Sequence, residues 1–189
     1  MEKNISKKDS LGNASKFGMA GIGIALLLLG FAFAEVITLN SIVLATILTM
    51  GVIAPLIGGI LEFTRGDSFR STALVLSGLF FLTFYIAVTR ALGGIAPDRY
   101  SFGIFFVAWT VVNLLFMCGT MFKIMDCKMI TLHIVLSLFA LFTLFAAIAE
   151  FTQVRALFIT SGAIAIATTV AIFADYVCHI IMRMCGRKQ

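Results

Sequence analysis

The chain has little charge, few histidines and almost no proline. Of its 189 residues, 12% are charged, two are histidine and two are proline. Soluble domains carry about a quarter charged residues, so the shortage argues against a soluble domain. Two histidines leave little for acid–base chemistry near neutral pH. Hydrophobic residues fill 61% of the chain instead, and the mean hydropathy is +1.09. This composition indicates an integral membrane protein.

Motifs of soluble enzymes are missing as well. The sequence contains no GxSxG, no HExxH and no phosphate-binding loop. Its four cysteines form no CxxC pair and no Cys/His spacing typical of a metal site. The sequence therefore predicts that the protein is not an enzyme and that it uses no metal and no other cofactor.

Long apolar runs predict the fold class, which is an all-α membrane protein with six transmembrane helices. A helix that crosses a bilayer needs about 20 apolar residues, and it satisfies its own backbone hydrogen bonds in lipid. The continuous apolar run Ile24–Phe33 does not alternate as a barrel strand would. The predicted spans are 16–34, 38–62, 69–90, 101–122, 129–150 and 154–182.

The basic residues predict the orientation of these spans. Most of the 14 Lys and Arg fall in the two terminal segments and in the second and fourth loops. The positive-inside rule then places both termini in the cytoplasm. We expect a disordered cytoplasmic tail over 1–12, the transmembrane domain over 13–183 and a second cytoplasmic tail over 184–189. The net charge of +5 reflects this topology and requires no nucleic-acid partner. The expected location is the plasma or inner cell membrane, as a multi-pass protein in contact with lipid.

Span two places its small residues on one helical face. That face consists of Gly51, Pro55, Gly58 and Gly59, and it ends at Glu62. Small residues let membrane helices approach closely. Pro55 cannot donate a backbone hydrogen bond, and its ring clashes with the carbonyl four residues back, that of Gly51. We expect a helix kink at Pro55, with the freed carbonyl either satisfied by a neighbouring helix or lining a polar path.

Three polar side chains lie at membrane depth, where ionisable groups are costly and often functional. Glu62 either forms a structural pair with Arg65, three residues on, or binds and releases a proton. Asp175 in span six is a second candidate for a proton-linked or structural acid. Asn113, near the middle of span four, forms an interhelical hydrogen bond or lines a pore, because a buried amide needs partners.

Spans one to three also carry motifs that resemble those of the acetate uptake transporter family, also called the succinate–acetate permease family. The run GVIAPLIGGILEFTRGDSFRSTALVLSGLFF, residues 51–81, follows the family signature of spans two and three without a gap. The segment NASKFGM, residues 13–19, follows the family's opening motif in the same register relative to Glu62. Trp109 fits the pattern of the fourth span. The resemblance covers about residues 13–180.

This resemblance implies a six-helix protein that moves acetate or another small carboxylate, and that forms a homo-hexamer with one pathway per subunit. The family constriction, a ring of Phe, Tyr and Leu, falls on Ile22, Ser77 and Val135. The signature Gln is replaced by Pro55. Since two constriction aromatics are replaced by smaller side chains, we expect a wider ring that lacks a phenolic donor.

The resulting hypothesis is membrane transport of a small monocarboxylate, by proton symport or through an anion channel. Helix N-termini and hydroxyl or amide donors would stabilise the anion. The residues predicted to line the path are Asn13, Gly18, Ile22, Thr72, Ser77, Asn113 and Val135. Two alternatives stay open: a channel for a small neutral solute such as urea or an amide, and a non-transporting membrane scaffold or sensor.

Overall fold

A computed structural model of the protein contains six helices over the residues that it describes. The structure describes residues 14–90, 93, 97–121 and 127–186, so Asn13 and the predicted tail over 1–12 lie outside the described residues. The helices are α1 (Ala14–Phe33), α2 (Ser41–Thr64), α3 (Ser68–Thr89), α4 (Arg99–Met121), α5 (Cys127–Thr152) and α6 (Arg155–Gly186). Each contains a segment long and apolar enough to cross a membrane. The six predicted spans are confirmed, and most of their predicted ends lie within one helical turn of the observed helix ends. Helix α6 continues into the predicted tail over 184–189.

Short polar side chains begin three of these helices. The carboxamide oxygen of Asn40 caps α2, and the carboxylate of Asp67 accepts a hydrogen bond from the third residue of α3. Asp98 accepts hydrogen bonds from the hydroxyl and the backbone N–H of Ser101 in α4. These bonds favour the ionised form, so they lower the pKa of Asp98 below its ordinary value. The tight turn between α2 and α3 needs Gly66, whose φ is +82°.

Helix α2 is not α-helical throughout. It consists of an α-helical turn over Ser41–Thr46, a π-helix over Ile47–Ile53 and an α-helix over Ala54–Thr64. The Ala54 N–H donates to the Thr49 carbonyl, five residues back. In this register the partner of the Met50 carbonyl is Pro55, which has no N–H. The π-helical register therefore aligns Pro55 with the Met50 carbonyl, one residue before the Gly51 carbonyl that α-helical spacing predicted.

Glycines let α1 press against two neighbouring helices. A side chain on Gly21 would overlap the Met50 carbonyl oxygen and lie 2.6 Å from the Ala54 Cβ in α2. On the other side, a Cβ on Gly162 of α6 would lie 2.5 Å from the Gly30 carbonyl oxygen. Such contacts are the close approach expected of small residues in membrane helices. They fix α1 between α2 and α6.

An aromatic layer joins α3, α4 and α5. The Phe80 ring is fully buried, and its centroid lies 5.2 Å from that of Phe139 and 5.5 Å from that of Trp109, both edge-on. Pairs in this geometry contribute about 0.5–1.5 kcal/mol each beyond their buried area. Ser77 lies about one helical turn from Phe80 along α3, and Asn113 lies about one turn from Trp109 along α4, so the packed rings of this layer lie beside both residues.

Candidate functional site

The structure brings two of the predicted path residues, Ser77 and Asn113, to one cavity between α3, α4 and α5. The cavity has a volume of about 10 Å³, close to the space that a single water molecule needs. Most of its wall is apolar and comes from Leu76, Val112, Phe116, Leu136 and Phe139, with Trp109 at one side. The site is thus a small apolar chamber with few polar groups.

The amide of Asn113 is the unusual group of this chamber. Asn113 is 5% exposed, and its buried Nδ2 has no hydrogen-bond partner among the described residues. A buried polar group without a partner costs free energy, so such a group in a native fold calls for an explanation. Within the described part of the chain, the predicted interhelical hydrogen bond from this nitrogen is not formed. Asn113 lines the cavity, and its Nδ2 is enclosed by neighbouring atoms.

The hydroxyls predicted as donors have their hydrogens engaged elsewhere. Ser77 Oγ donates to the Ala73 carbonyl over 2.8 Å, and a hydroxyl has one hydrogen to donate. Thr72 is exposed on the outer side of α3, where Oγ1 donates to the Ser68 carbonyl over 2.8 Å. Asn13 lies outside the described residues, so among the four predicted donors Asn113 is the one, within the described part of the chain, whose donor nitrogen has no acceptor.

The remaining predicted path residues do not line this cavity. Ile22 and Val135 are 3% and 4% exposed and belong to the hydrophobic core. Gly18 is a packing position, since a Cβ there would lie 3.3 Å from the Pro55 Cα. The cavity is lined by Leu136, one residue after Val135. Leu136 and Phe139 both line this wall. Their spacing of three residues puts them on one helix face, so helical spacing could have indicated Leu136 as a lining residue.

Hydrogen bonds between α4 and α5 flank Asn113 along α4. Thr110 Oγ1 lies 2.9 Å from Thr143 Oγ1, with both side chains buried, and each hydroxyl also lies within hydrogen-bond distance of a carbonyl of its own helix. Near the other end of α4, Thr120 Oγ1 lies 2.7 Å from His133 Nδ1. In lipid such bonds stabilise a helix pair by roughly 0.6 kcal/mol each. They hold α4 in register with α5 on both sides of the cavity.

Glu62 connects the end of α2 to the start of α1. Its side chain is buried, and Oε1 accepts a hydrogen bond from the Ser15 N–H over 2.8 Å and another from Arg65 Nη1 over 3.0 Å. The Ser15 N–H belongs to the first turn of α1, where backbone donors have no partner within the helix. The pair with Arg65 that the structural interpretation predicted is therefore formed, and the helix terminus is a second partner.

Asp175 connects α6 to the same turn of α1. Its Oδ2 lies 3.7 Å from Lys16 Nζ, and the ammonium lies 5.2 Å from the ring centroid of Tyr176. The Tyr176 hydroxyl donates to the Lys16 carbonyl. The sequence pattern missed Lys16 as a partner because it lies at the other end of the chain. The two acids thus contact the first turn of α1 from two different helices, α2 and α6.

No metal site emerges in the described ranges. None of their His, Cys, Asp and Glu residues form a group of three or more that could hold an ion.

Comparisons with known proteins place the chain in a family. Residues 2–183 match the sequence model of the GPR1/FUN34/yaaH family. The succinate-acetate/proton symporter SatP of Escherichia coli (strain K12) is 30% identical over 113 residues, which cover 59% of this chain and 60% of that protein. The protein of the same description from Shigella flexneri gives the same figures. The alignment thus spans about three fifths of the length of these curated relatives.

A solved structure has the same fold. The structure of the bacterial acetate channel SatP superposes with a TM-score of 0.83 at 23% identity, covering 93% of this chain and 96% of that one. Together with the family match, this agreement confirms the resemblance noted in spans one to three. Its described ranges contain six helices that are long and apolar enough to span a membrane, and the chain is a multi-pass membrane protein that belongs to the GPR1/FUN34/yaaH family.

Proposed function

We propose that the protein transports a small monocarboxylate such as acetate across the cell membrane. The observation that carries the proposal is the family match over residues 2–183. The names of the relatives point in the same direction, since one is a succinate-acetate/proton symporter and the other an acetate channel. These names belong to transporters, in agreement with the prediction that the chain is not an enzyme.

The chamber at Asn113 has the chemistry that a carboxylate path needs, in a volume that holds about one water molecule in this conformation. A carboxylate that enters an apolar membrane protein loses its hydration, and it needs donors in return. The unpartnered Nδ2 of Asn113 provides one, while the apolar wall matches the methyl end of acetate. Among the alternatives, the neutral-solute channel and the membrane scaffold receive no support from the named relatives.

We infer structural roles for Glu62 and Asp175. Both carboxylates already have cationic or backbone partners at the start of α1. The charge-neutral variant Glu62→Gln is therefore expected to keep the pH dependence of transport. A flux that no longer responds to pH in this variant would assign proton coupling to Glu62 instead.

A homo-hexamer with both termini in the cytoplasm is the proposed assembly. The family resemblance implies it, and the outer face of α6 supports it with exposed small residues that favour close helix contact in lipid. These residues are Ala156, Thr160, Ala163, Ala167 and Ala174. Native mass spectrometry of the purified protein is expected to give a six-subunit species. A monomer or dimer across detergents would contradict the proposal.

The test of the function is uptake of radiolabelled acetate into proteoliposomes, with the pH gradient and the voltage imposed separately. Acetate accumulation above that of protein-free liposomes is the expected result. Uptake driven by the pH gradient alone indicates symport, and uptake driven by voltage alone indicates an anion channel. Folded protein that moves no acetate under either gradient would refute the proposal.

A further inference from the structure

The hydrogen bond between Thr120 of α4 and His133 of α5 lies near the ends of these helices that the proposed topology assigns to the cytoplasm. Thr120 follows Phe116 by four residues, and His133 precedes Leu136 by three, so each of the two spacings puts its residues on one helix face. Phe116 and Leu136 line the cavity. Since a helix rises about 1.5 Å per residue, the bonded pair lies roughly 5–6 Å along the helix axes from the cavity wall.

The bond determines which nitrogen of the His133 ring carries a hydrogen. Thr120 Oγ1 lies 2.7 Å from the Met117 carbonyl oxygen and 2.7 Å from His133 Nδ1. A hydroxyl has one hydrogen to donate, and a threonine in a helix often donates it to its own backbone, here to Met117. Nδ1 is then the donor to Thr120 Oγ1. The neutral ring is therefore the Nδ1–H tautomer, and Nε2 is the nitrogen that takes up a proton.

Nε2 of His133 is free to do so. No residue within the described ranges forms a hydrogen bond with this nitrogen, since the bond of the ring is made by Nδ1. The enclosed nitrogens without a partner in these ranges are Lys16 Nζ and Asn113 Nδ2, so Nε2 is not enclosed. Water can reach it and exchange a proton with it.

The helices packed against α5 carry few charges near His133. These helices are α4 and α6. Their titratable side chains at this depth, among those that the structure describes, are the exposed Cys118 and Cys178, Asp175 with its partner Lys16, and Tyr176. The side chains of Lys123, Asp126, Cys127, Lys128, His179 and Arg183 lie outside the described residues. In the described part of the chain, no carboxylate pairs with the His133 ring.

We propose that His133 makes transport depend on pH: Nε2 binds a proton from the cytoplasmic side, and the imidazolium attracts the carboxylate solute to this end of α4 and α5. The proposal rests on the transport function above, and it leaves Glu62 and Asp175 in their structural roles. Histidine changes its charge between about pH 5 and 8. At an effective dielectric constant of about 20, a unit charge about 10 Å from an anion favours the anion roughly tenfold. Transport is therefore fast while the ring is charged, and it slows as the pH rises and the ring loses its proton.

Nitrogen-15 NMR of the full-length protein in lipid nanodiscs tests the proton site without any transport. The variant His179→Gln removes the other histidine of the chain, so the remaining imidazole signals belong to His133. We expect a neutral ring with its hydrogen on Nδ1, and proton uptake at Nε2 as the pH falls. Thr120→Val removes the acceptor at a similar side-chain shape, and it should abolish the preference for the Nδ1–H tautomer. A neutral ring that carries its hydrogen on Nε2 while Thr120 is present would overturn the inference.

Exchange of radiolabelled acetate between proteoliposomes and buffer tests the role in transport. The pH is equal on both sides and is varied from about 5.5 to 8. The exchange of protein-free liposomes is subtracted, because neutral acetic acid crosses lipid unaided. We expect the exchange to fall roughly tenfold across this range in the unmodified protein and in the control His179→Gln. His133→Gln should be slow at every pH, whereas His133→Arg, whose charge is permanent, should be fast at every pH.

The two experiments separate the inference from the proposed function. A pH response that survives in His133→Gln, or one that is lost in His179→Gln, would overturn the inference, whatever the tautomer of the ring. The NMR result stands whether or not a His133 variant folds. If no protein exchanges acetate at any pH, the unmodified and folded one included, the proposed function is refuted and the inference falls with it. Acetate exchange that does not respond to pH in the unmodified protein refutes the inference alone.

Discussion

Replacing Glu62 by alanine should detach the start of α1 from the end of α2. The variant removes two hydrogen bonds to a charged group, of 2.8 Å from the Ser15 N–H and 3.0 Å from Arg65. The side chain of Glu62 is only 6% exposed, so solvent screens these interactions little. Breaking a buried charge pair by removing one partner costs about 3–5 kcal/mol. We therefore expect a loss of that size for Glu62→Ala.

The milder variant Glu62→Gln separates the two contacts. Its amide oxygen still accepts from the Ser15 N–H, but the charge opposite Arg65 is gone. Because one of the two interactions remains, the expected cost is about 1–2 kcal/mol. A larger loss of stability in Glu62→Ala than in Glu62→Gln would show that the hydrogen bond to α1 contributes beyond the ion pair with Arg65. Sequence spacing had predicted only the ion pair.

Thermal unfolding of the purified protein measures both effects. For a chain of this size, a loss of 1 kcal/mol lowers the Tm by about 2–4 °C. The matched control is Glu35→Ala. Glu35 also pairs with an arginine, Arg155, over 2.7 Å, but the two side chains are 46% and 76% exposed, so this variant should cost less than about 1 kcal/mol. If Glu62→Ala destabilises the protein no more than Glu35→Ala does, the structural role inferred for Glu62 is wrong.

Three further predictions concern other parts of the fold. Gly21→Ala should destabilise the protein by about 1–3 kcal/mol, because the added methyl group overlaps the Met50 carbonyl. The control Gly23→Ala should cost clearly less, because the nearest neighbour of its methyl group lies 3.3 Å away. Equal Tm values for the two variants would contradict this prediction. Asn113→Leu should raise the stability by about 1–3 kcal/mol, as it removes an unpartnered buried donor, and a lowered Tm would show that the amide has a structural partner. The pKa of Asp98 in the folded protein, measured by NMR titration of its carboxyl carbon, should lie below the ordinary value of 3.8. Because folding lowers this pKa, the stabilisation by Asp98 is fully present above pH 3.8 and is lost as the pH falls through the folded pKa. A measured pKa at or above 3.8 would refute the helix cap.

The features that follow from local sequence were predictable. A membrane span is recognised within a window of about 20 residues, so all six helices were found. The pair of Glu62 and Arg65 follows from a spacing of three residues on one helix face. The small residues of span two lie three and four apart on one helix face, which predicted a face for close helix contact without naming its partner helix. Each of these features depends on residues that are near one another in the sequence.

The features that depend on the rotation and register of whole helices were not predictable. The π-helix over Ile47–Ile53 aligns Pro55 with the Met50 carbonyl instead of the Gly51 carbonyl, and the apolar pattern gives no sign of this shift. The pair of Lys16 and Asp175 joins opposite ends of the chain. Hydroxyl hydrogens are equally hidden, because a serine or threonine in a helix often donates to its own backbone, as Ser77 does.

The contrast between local sequence and helix packing also applies to Asn113. Its residue type and depth already marked it as a group in need of partners. The finding that Nδ2 lacks one required the packing of three helices around it. The sequence therefore marked Asn113 as a candidate, and its contact with the solute stays a proposal.

The most direct test of monocarboxylate transport is the flux of acetate and of succinate into proteoliposomes that contain the full-length protein or its Asn113→Leu variant. We predict saturable acetate flux in the unmodified protein, little succinate flux, and acetate flux lowered at least about tenfold in the variant. The absence of acetate flux in folded protein would contradict the proposed function. Acetate flux that is equal in the two proteins would contradict the role of Asn113.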